Sequence, residues 1–362
     1  MSPMLKSVEK AGLRGVRLKR NPTHIHPEDF FTITRDLKGE FAKLIHAGNS
    51  DRIAIIPSAS YGLATVTKNL KIKKGEHVLV AAEQFPSNYY PWQSLCEETG
   101  AEIRIVSPEK EFKDRGKIWN AKFIESINAQ TKAVAIAHTH WADGTLFDLV
   151  ALRKRTQEVG ALLVIDGTQS VGALPFDVRA IQPDALICAA YKWLLGPYSI
   201  GMAYYGEYFN EGKPIEENWI HRLDSENFSG LVNYESRYQP GAARYGMGEH
   251  SNFVLAPMAL KAVAQINRWG VENIQQYCES ITEPAIAVLR EKGYLIEELP
   301  YRGSHLFGIR HSKGLEPEKL KEKLNKSRIY VSVRGTAIRV SPNVYNDGED
   351  LQRLVKILST GI

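Results

Sequence analysis

The chain has 362 residues, of which 43% are hydrophobic and 24% charged, and its formal net charge is +5. This balance is typical of a globular protein and excludes a disordered or fibrous chain. No run approaches 18 apolar residues, so no membrane span is predicted, and the basic N-terminal segment does not resemble a secretory signal. Basic residues are interleaved with acidic and apolar ones, which favours solvated surfaces over a nucleic-acid-binding stripe.

The cysteine content indicates a reducing environment. Cys96, Cys188 and Cys278 are widely spaced, odd in number and form no CxxC pair, so a disulfide framework is not expected. We therefore predict a cytoplasmic protein.

Short apolar runs alternate with amphipathic segments up to residue 205. The near-continuous apolar runs predict strands buried on both faces: Ile53 to Ile56, His77 to Ala81, Ile103 to Val106, Ala133 to Ala137, Leu162 to Ile165 and Leu186 to Ala189. Helical segments between them, such as Tyr61–Leu70, Pro91–Thr99 and Leu149–Val159, indicate βαβ units and a mainly parallel sheet. A seventh strand, Ile200 to Tyr205, follows a link too short for a crossover and is therefore predicted to be antiparallel.

The pattern changes near residue 250. Two long helices are predicted at Ala256 to Trp269 and at about Val271 to Arg290. Shorter elements follow: strands near Leu306–Ile309, Ile329–Val333 and Ile338–Val340, and helices at Pro317–Asn325 and Asp347–Leu358. We predict three parts: an N-terminal arm at 1–20, a large α/β domain at 21–250 and a smaller α+β domain at 251–362.

A predicted strand ends in an aspartate followed by a glycine, at Asp166 and Gly167. In an open α/β sheet, ligands bind beyond the carboxyl ends of the strands, so this carboxylate is expected to face a crevice. An Asp-Gly turn without function is the alternative interpretation.

A lysine follows the next predicted strand. Lys192 lies between Tyr191 and Trp193, in apolar surroundings where lysines are rarely buried without a partner. Desolvation would lower the pKa of its amine and make it nucleophilic, as Schiff-base chemistry requires. The alternative is a snorkelling lysine at the end of a strand.

Small hydroxyl residues follow the first strand and open a helix, in Pro57-Ser58-Ala59-Ser60-Tyr61-Gly62. Free backbone N–H groups and the helix dipole at such a position attract a phosphate. An ordinary serine N-cap would have the same sequence.

The combination is more specific than its parts. Pyridoxal 5′-phosphate (PLP) needs an amine to link to, an anion to keep its pyridine nitrogen protonated, and donors for its phosphate. Lys192, Asp166 and the segment around Ser60 supply all three. We therefore predict a PLP enzyme that holds its cofactor as a Schiff base on Lys192.

These motifs resemble the class V aminotransferase family of fold-type I PLP enzymes, which includes cysteine desulfurases, kynureninase and isopenicillin N epimerase. The resemblance runs from about Ile53 to Asn346. Its most specific parts are Ile165-Asp166-Gly167-Thr168-Gln169 and Tyr191-Lys192-Trp193-Leu194-Leu195-Gly196-Pro197. It implies the PLP-dependent transferase fold type I, with a mainly parallel seven-stranded sheet and a smaller α+β C-terminal domain.

The resemblance also implies cofactor-binding roles. Ala59 and Ser60 fall at the phosphate-binding position, and the Tyr191 hydroxyl is expected to reach the phosphate. Gln169 falls where a side chain bonds the phenolic oxygen of the cofactor. Phe85 takes the ring-stacking position, where desulfurases have histidine.

Substrate-side roles follow in the same way. Arg339, in Ala337-Ile338-Arg339-Val340-Ser341-Pro342, resembles the carboxylate-binding arginine of the family. Trp141 stands where desulfurases have a substrate-side asparagine. The alternative for Arg339 is a surface strand arginine.

Other sites find little support. His138 and His140 have no evident third ligand, so no metal site is predicted. Neither GxxxxGK[ST] nor GxGxxG occurs.

The leading function is an aminotransferase acting on a small amino acid. The alternatives are an isopenicillin N epimerase-like epimerase or a β-lyase and, in another class, a non-catalytic binding protein with this fold. A cysteine desulfurase is not expected, because none of the cysteines lies near Val333 to Ile338, where those enzymes carry a cysteine loop. A homodimer with a shared active site is implied, with Arg244 to Asn252 reaching the partner and Glu249 replacing the usual threonine.

Overall fold

The computed structural model describes residues 1–109, 111–112, 114–311 and 317–359. Its large sheet has seven strands in the order β1-β7-β6-β5-β4-β2-β3. These strands are β1 (Ile53–Ile56), β2 (His77–Ala81), β3 (Glu102–Val106), β4 (Thr131–Ala137), β5 (Leu162–Asp166), β6 (Ala185–Ala189) and β7 (Gly201–Tyr205). Pairing is parallel from β3 to β6, whereas β7 is antiparallel to both β6 and β1. The prediction of a mainly parallel sheet with an antiparallel seventh strand is confirmed.

Continuous apolar runs form these strands because both faces of the sheet are covered. Ile53 and Ile55 of β1 belong to one core, whereas Ala54 and Ile56 belong to a second core on the opposite face. Alternate side chains of a strand point to opposite faces, so each face requires its own set of apolar residues.

The helices pack around this sheet and around a smaller one. They are α1 (Lys6–Leu18), α2 (Asp29–Leu44), α3 (Ala59–Asn69), α4 (Tyr90–Thr99), α5 (Arg115–Ser126), α6 (Leu149–Val159), α7 (Val178–Ile181), α8 (Leu255–Trp269), α9 (Val271–Glu291), α10 (Pro317–Lys326) and α11 (Gly348–Ser359). No helix in the described ranges is both long and apolar enough to cross a membrane.

Helix α1 was expected only as an arm. Its buried stripe consists of Val8, Ala11, Gly12 and Gly15. A Cβ on Gly12 would lie 2.6 Å from the Met258 sulfur, so α1 approaches α8 closely. The periodicity of the stripe is helical, but its small side chains give a weak hydrophobic signal.

The second sheet is antiparallel, with the order β10-β11-β9-β8. Its strands are β8 (Tyr294–Leu295), β9 (Phe307–His311), β10 (Ser332–Arg334) and β11 (Ala337–Val340). The strand expected at Ile329–Val333 begins later, at Ser332, because Ile329 and Val331 pack against the small core without pairing. Apolar content alone does not distinguish a paired strand from an unpaired segment that packs against a core.

Three apolar cores organise the described part of the chain. The small core begins at Ala285, within α9, and reaches Leu358 of α11. Buried side chains of α8 and of the first half of α9, such as Ala262 and Ile274, belong to a core of the large sheet. The predicted domain boundary at residue 250 stays a prediction, and the cores themselves separate within α9.

Gly167 gives a test of the packing beneath the aspartate at the end of β5. A Cβ there would lie 2.7 Å from Leu186 Cδ1 and 2.8 Å from both Cys188 Sγ and Val171 Cγ2. Gly167→Ala should therefore lower the free energy of unfolding by about 1–3 kcal/mol. Urea unfolding followed by circular dichroism measures the change.

The matched control is Gly39→Ala, on an exposed position of α2 where a Cβ meets nothing within 4 Å. That variant should gain about 0.5–1 kcal/mol, because alanine is the better helix former. Equal effects of both substitutions would contradict the packing argument.

Candidate active site

A cavity of about 240 Å³ opens at the carboxyl ends of the parallel strands. Open α/β sheets bind ligands at this edge. Of the residues predicted as functional, most line it: Ala59, Ser60, Phe85, Trp141, Asp166, Gln169, Tyr191 and Lys192. Arg339 is not part of the lining, but its Nη1 donates a hydrogen bond to the Trp141 carbonyl.

Asp166 is the last residue of β5 and is 7% exposed. Its Oδ1 accepts a hydrogen bond of 3.0 Å from the Thr168 backbone N–H, which fixes the orientation of the carboxylate. The close packing of Gly167 against β6 lets the chain turn directly after it. The other carboxylate oxygen, Oδ2, has no protein donor in the described ranges and is available to a ligand.

Lys192 lies on a tight loop between β6 and β7. The Ala190 N–H donates to the Ile200 carbonyl at 3.0 Å and closes the base of this loop. Leu195 and Ser199 have φ of 54° and 63°, in the left-handed region that side-chain-bearing residues rarely adopt. Two such residues beside one lysine mark a segment whose conformation the surrounding structure enforces.

The Lys192 amine is electrostatically unusual. Burial lowers its pKa to about 8, the Asp166 carboxylate opposes this, and the charges of Arg339 and Arg334 lower it further. Its Nζ lies 5.3 Å from the centre of the Phe85 ring and 5.7 Å from that of Tyr191. An amine with this pKa is partly neutral near physiological pH and hence nucleophilic.

The N-terminus of α3 borders the cavity on the side of β1. Ser58 is the N-cap, and its Oγ accepts from the Tyr61 N–H at 3.2 Å and lies 2.9 Å from the Ser60 Oγ. The first backbone N–H groups of a helix have no intrahelical acceptor. Together with the two hydroxyls they suit a phosphate.

Two buried side chains that sequence reasoning missed hold Gln169 in place. Trp193 Nε1 donates to Gln169 Oε1 at 3.1 Å, and His305 Nε2 lies 2.8 Å from the Gln169 carbonyl oxygen. The amide NH₂ of Gln169 is thereby left to donate into the cavity. Trp193 is adjacent to Lys192 in the sequence, but no feature of the sequence indicated that His305 lies next to Gln169.

Two aromatic side chains line another side of the cavity. Phe85 and Trp141 meet edge to face with ring centres 5.4 Å apart, and Trp141 Nε1 donates to the Glu83 carbonyl at 2.6 Å. Arg334 lies over the Trp141 ring, with its Cζ 5.2 Å from the ring centre. A flat apolar surface next to an amine suits an aromatic cofactor.

Tyr198 and Ser87 also line the cavity and had been assigned no role. Tyr198 packs against Tyr191 with ring centres 4.7 Å apart. Burial is the main cause that raises the pKa of Tyr191, so its phenol stays a protonated donor. The contact expected between this hydroxyl and a phosphate stays a prediction.

The two histidines considered for a metal have other partners. His140 Nδ1 lies 3.2 Å from Asp143 Oδ1 and its Nε2 lies 3.1 Å from the Ala82 carbonyl oxygen. His138 packs against Phe176, and burial lowers its pKa to about 3. In the described part of the chain, no group of three or more His, Cys, Asp or Glu side chains could hold a metal.

The segment expected to reach a partner subunit lies beside β1. The Met247 N–H donates to the Ile55 carbonyl at 3.0 Å, and Arg244 packs over Tyr238 with its Cζ 4.7 Å from the ring centre. The role of this segment in a dimer stays a prediction.

The donor set fits PLP. The cavity places a partly neutral amine, a carboxylate with one open oxygen and a helix N-terminus around one space, beside the Phe85 ring. The free amide donors of Gln169 suit the phenolic oxygen of the cofactor.

Comparison with known proteins agrees with this geometry. The family model described as aminotransferase class-V matches residues 17–354. The uncharacterised aminotransferase YcbU of Bacillus subtilis is 26% identical over 326 residues, covering 89% of this chain and 82% of its own. A probable cysteine desulfurase of Methanothermobacter thermautotrophicus is 27% identical over 255 residues, covering 69% and 59% of the two chains.

Among solved structures, the cysteine desulfurase of Thermococcus onnurineus superposes with a TM-score of 0.82 at 20% identity, covering 99% of this chain and 92% of that one. The predicted fold class is therefore confirmed. PLP, on which the matched family depends, is the cofactor of this protein. With a family match over nearly the whole chain and a cavity that fits the cofactor, the chain belongs to the class-V aminotransferase family of PLP-dependent enzymes.

Proposed function

We propose that this enzyme is an aminotransferase that acts on an α-amino acid through a Schiff base on Lys192. The observation that carries the proposal is the placement of the Lys192 amine, the Asp166 carboxylate and the N-terminus of α3 around one cavity, in a chain that matches the aminotransferase class-V family. Burial lowers the pKa of this amine to about 8. The same amine suits a proton carrier, because a group with a pKa near the working pH both accepts and returns a proton efficiently.

PLP supplies the electron sink that stabilises negative charge at the substrate α-carbon. Asp166 Oδ2 holds a proton at the pyridine nitrogen, and the Thr168 N–H on Oδ1 keeps the carboxylate in the orientation this requires. Ser58, Ser60 and the first N–H groups of α3 bind the phosphate. Gln169, positioned by Trp193, donates to the phenolic oxygen.

Lys192 Nζ would form the covalent link to the cofactor and, with a pKa near the working pH, would carry a proton to and from the substrate α-carbon. Phe85 covers one face of this space and excludes water from it. Arg339 binds the substrate carboxylate with its planar fork, which holds the bond to be broken in a fixed direction. Trp141 positions this arginine through its backbone carbonyl.

The cysteines do not support desulfurase chemistry, although several relatives bear that name. All three thiols are buried. Burial raises the pKa of Cys96 to about 11 and of Cys278 to about 12, and it raises that of Cys188 well above its ordinary value. A sulfur-accepting nucleophile must be a thiolate, and the turn between β10 and β11 has only Gly335 and Thr336.

An epimerase or a β-lyase would use the same groups, since all three reactions begin with loss of a bond at the α-carbon. Absorbance spectra with a panel of amino acids separate them. Conversion of the cofactor to its pyridoxamine form indicates transamination, racemised substrate indicates an epimerase, and a released β-substituent indicates a lyase. No response to any amino acid would favour a binding protein without catalysis. We further propose a cytoplasmic location and a homodimer. Sedimentation at assay concentration tests the homodimer.

The covalent link is tested by replacing Lys192. Borohydride should fix the cofactor onto the peptide that contains Lys192, and Lys192→Ala should form no reducible adduct. Peptide mass spectrometry measures both. The control variant is Lys261→Ala, which removes a lysine of α8 and should still be labelled on Lys192. An adduct elsewhere in Lys192→Ala would disprove the assignment.

The charges around Lys192 should set its titration. In protein freed of cofactor, the rate of Lys192 acylation should rise with pH around a midpoint near 8, because only the neutral amine reacts. Arg339→Ala should raise this midpoint, since it removes a cation that disfavours the charged amine. Asp166→Asn should lower it, since it removes the stabilising anion. Shifts in the opposite directions would contradict the electrostatic account.

Arg339 should govern recognition of the substrate carboxylate. Arg339→Ala should bind PLP normally but lose about 30- to 1000-fold in kcat/KM, equivalent to about 2–4 kcal/mol of lost charged hydrogen bonding. Arg339→Lys should recover only part, because an ammonium lacks the fork. An amine substrate without a carboxylate should be nearly indifferent to both changes. Equal losses for amino acid and amine would show that Arg339 is structural.

A further inference from the structure

A second arginine lies beside Arg339 and has no role in the proposed reaction. Strands β10 and β11 pair with Ser332 opposite Arg339 and Arg334 opposite Ala337. Residues two apart on a strand share a face, so Arg334 and Arg339 are diagonal neighbours on the same face of this hairpin. Two long cationic side chains therefore project together.

Both arginines contact Trp141. The Arg334 guanidinium lies over its ring at 5.2 Å, and Arg339 Nη1 donates to its backbone carbonyl. Trp141 itself lines the cavity and contacts Phe85. Both charges act on the Lys192 amine, whose pKa each of them lowers.

In the described part of the chain, no carboxylate lies within 4 Å of Arg334 or Arg339, and the buried Nε of each has no hydrogen-bond partner. Their Nη1 groups donate to backbone carbonyls, of Val333 and Trp141 respectively. Arg115 and Arg310, also partly buried, share Asp143 at 3.4 and 2.9 Å. Burial and the neighbouring Arg334 lower the pKa of Arg339 to about 10.

Two adjacent cations repel each other, and anions bound beside them would relieve this repulsion and the cost of burying Arg339. One substrate carboxylate occupies one guanidinium fork. The cofactor phosphate does not account for the second, since its proposed site at α3 follows β1, whereas Trp141 follows β4, and three strands separate these two in the sheet. A second anionic group beside Arg334 would offset the charge of the second guanidinium.

We propose that Arg334 binds a carboxylate on the substrate side chain, so that the substrate is an acidic α-amino acid with one carboxylate on each arginine. This inference rests on the proposed function, because it assumes that Arg339 holds the α-carboxylate. Arg334 is then a specificity-determining residue, and the stack on Trp141 fixes the distance between the two anion positions.

The test compares acids that differ in one charge. Calorimetry with the holoenzyme should show glutarate binding about 10- to 100-fold more tightly than butyrate, as expected for a charge-assisted hydrogen bond. Arg334→Gln should remove this preference and leave butyrate binding unchanged, while Arg334→Lys should retain part of it. Arg14→Ala, which removes an exposed charge from α1, should leave the preference intact.

Turnover provides the second measurement. L-glutamate or L-aspartate should exceed its neutral amide, L-glutamine or L-asparagine, in kcat/KM by a similar factor, and Arg334→Gln should reduce that ratio to near one. Equal binding of glutarate and butyrate by the wild-type enzyme would overturn the proposal. So would an Arg334→Gln variant that weakens both acids equally, because Arg334 would then be structural or hold the α-carboxylate.

The two proposals fail separately. If no amino acid changes the cofactor spectrum, the proposed aminotransferase function is wrong, whatever the calorimetry shows. If neutral amino acids react as well as acidic ones, the function stands and the second carboxylate site is wrong.

Discussion

The desolvation of Lys192 is the constraint on which the site depends. An amine in water has a pKa too high to be a nucleophile near neutral pH, and burial between aromatic rings lowers it to about 8. This burial requires a rigid loop, and the chain supplies one in which Leu195 and Ser199 hold unfavourable backbone angles. The hydrogen bonds and packing around the loop offset this strain.

The fold supplies the neighbours of this lysine through one edge of the sheet. Asp166, Lys192 and the α3 N-terminus follow β5, β6 and β1, whose carboxyl ends meet there. The antiparallel β7 lies between β6 and β1, so these two strands run in the same direction and end at the same edge of the sheet. The second sheet reaches this edge through β11, whose Arg339 donates a hydrogen bond to the Trp141 carbonyl.

Charges of opposite sign act on Lys192. The anionic Asp166 lines the cavity, and the cationic Arg334 and Arg339 contact Trp141. Lys192 responds to both, since Asp166 raises its pKa and the arginines lower it. Binding of an anionic substrate would neutralise the arginines and raise the proton affinity of the amine. Recognition of an anionic substrate and the proton affinity of Lys192 would thereby be connected through charge.

The sequence by itself determined the sheet, the cofactor and most of the cavity lining. Continuous apolar runs specify strands buried on both faces, and residues that follow such strands must meet at one edge, so Asp166, Lys192 and Ser60 were predictable from chain order. Only the tertiary structure decided the rest. His305 contacts Gln169, which is 136 residues away in the sequence. Arg334, on the small sheet, contacts Trp141, which follows a strand of the large sheet. Such long-range contacts leave no periodic pattern in the sequence, because they arise from the packing of separate helices and strands. Helix α1 was not predicted for a related reason: its glycines are explained only by what they approach, the Met258 side chain of α8 at Gly12 and the Phe253 backbone at Gly15.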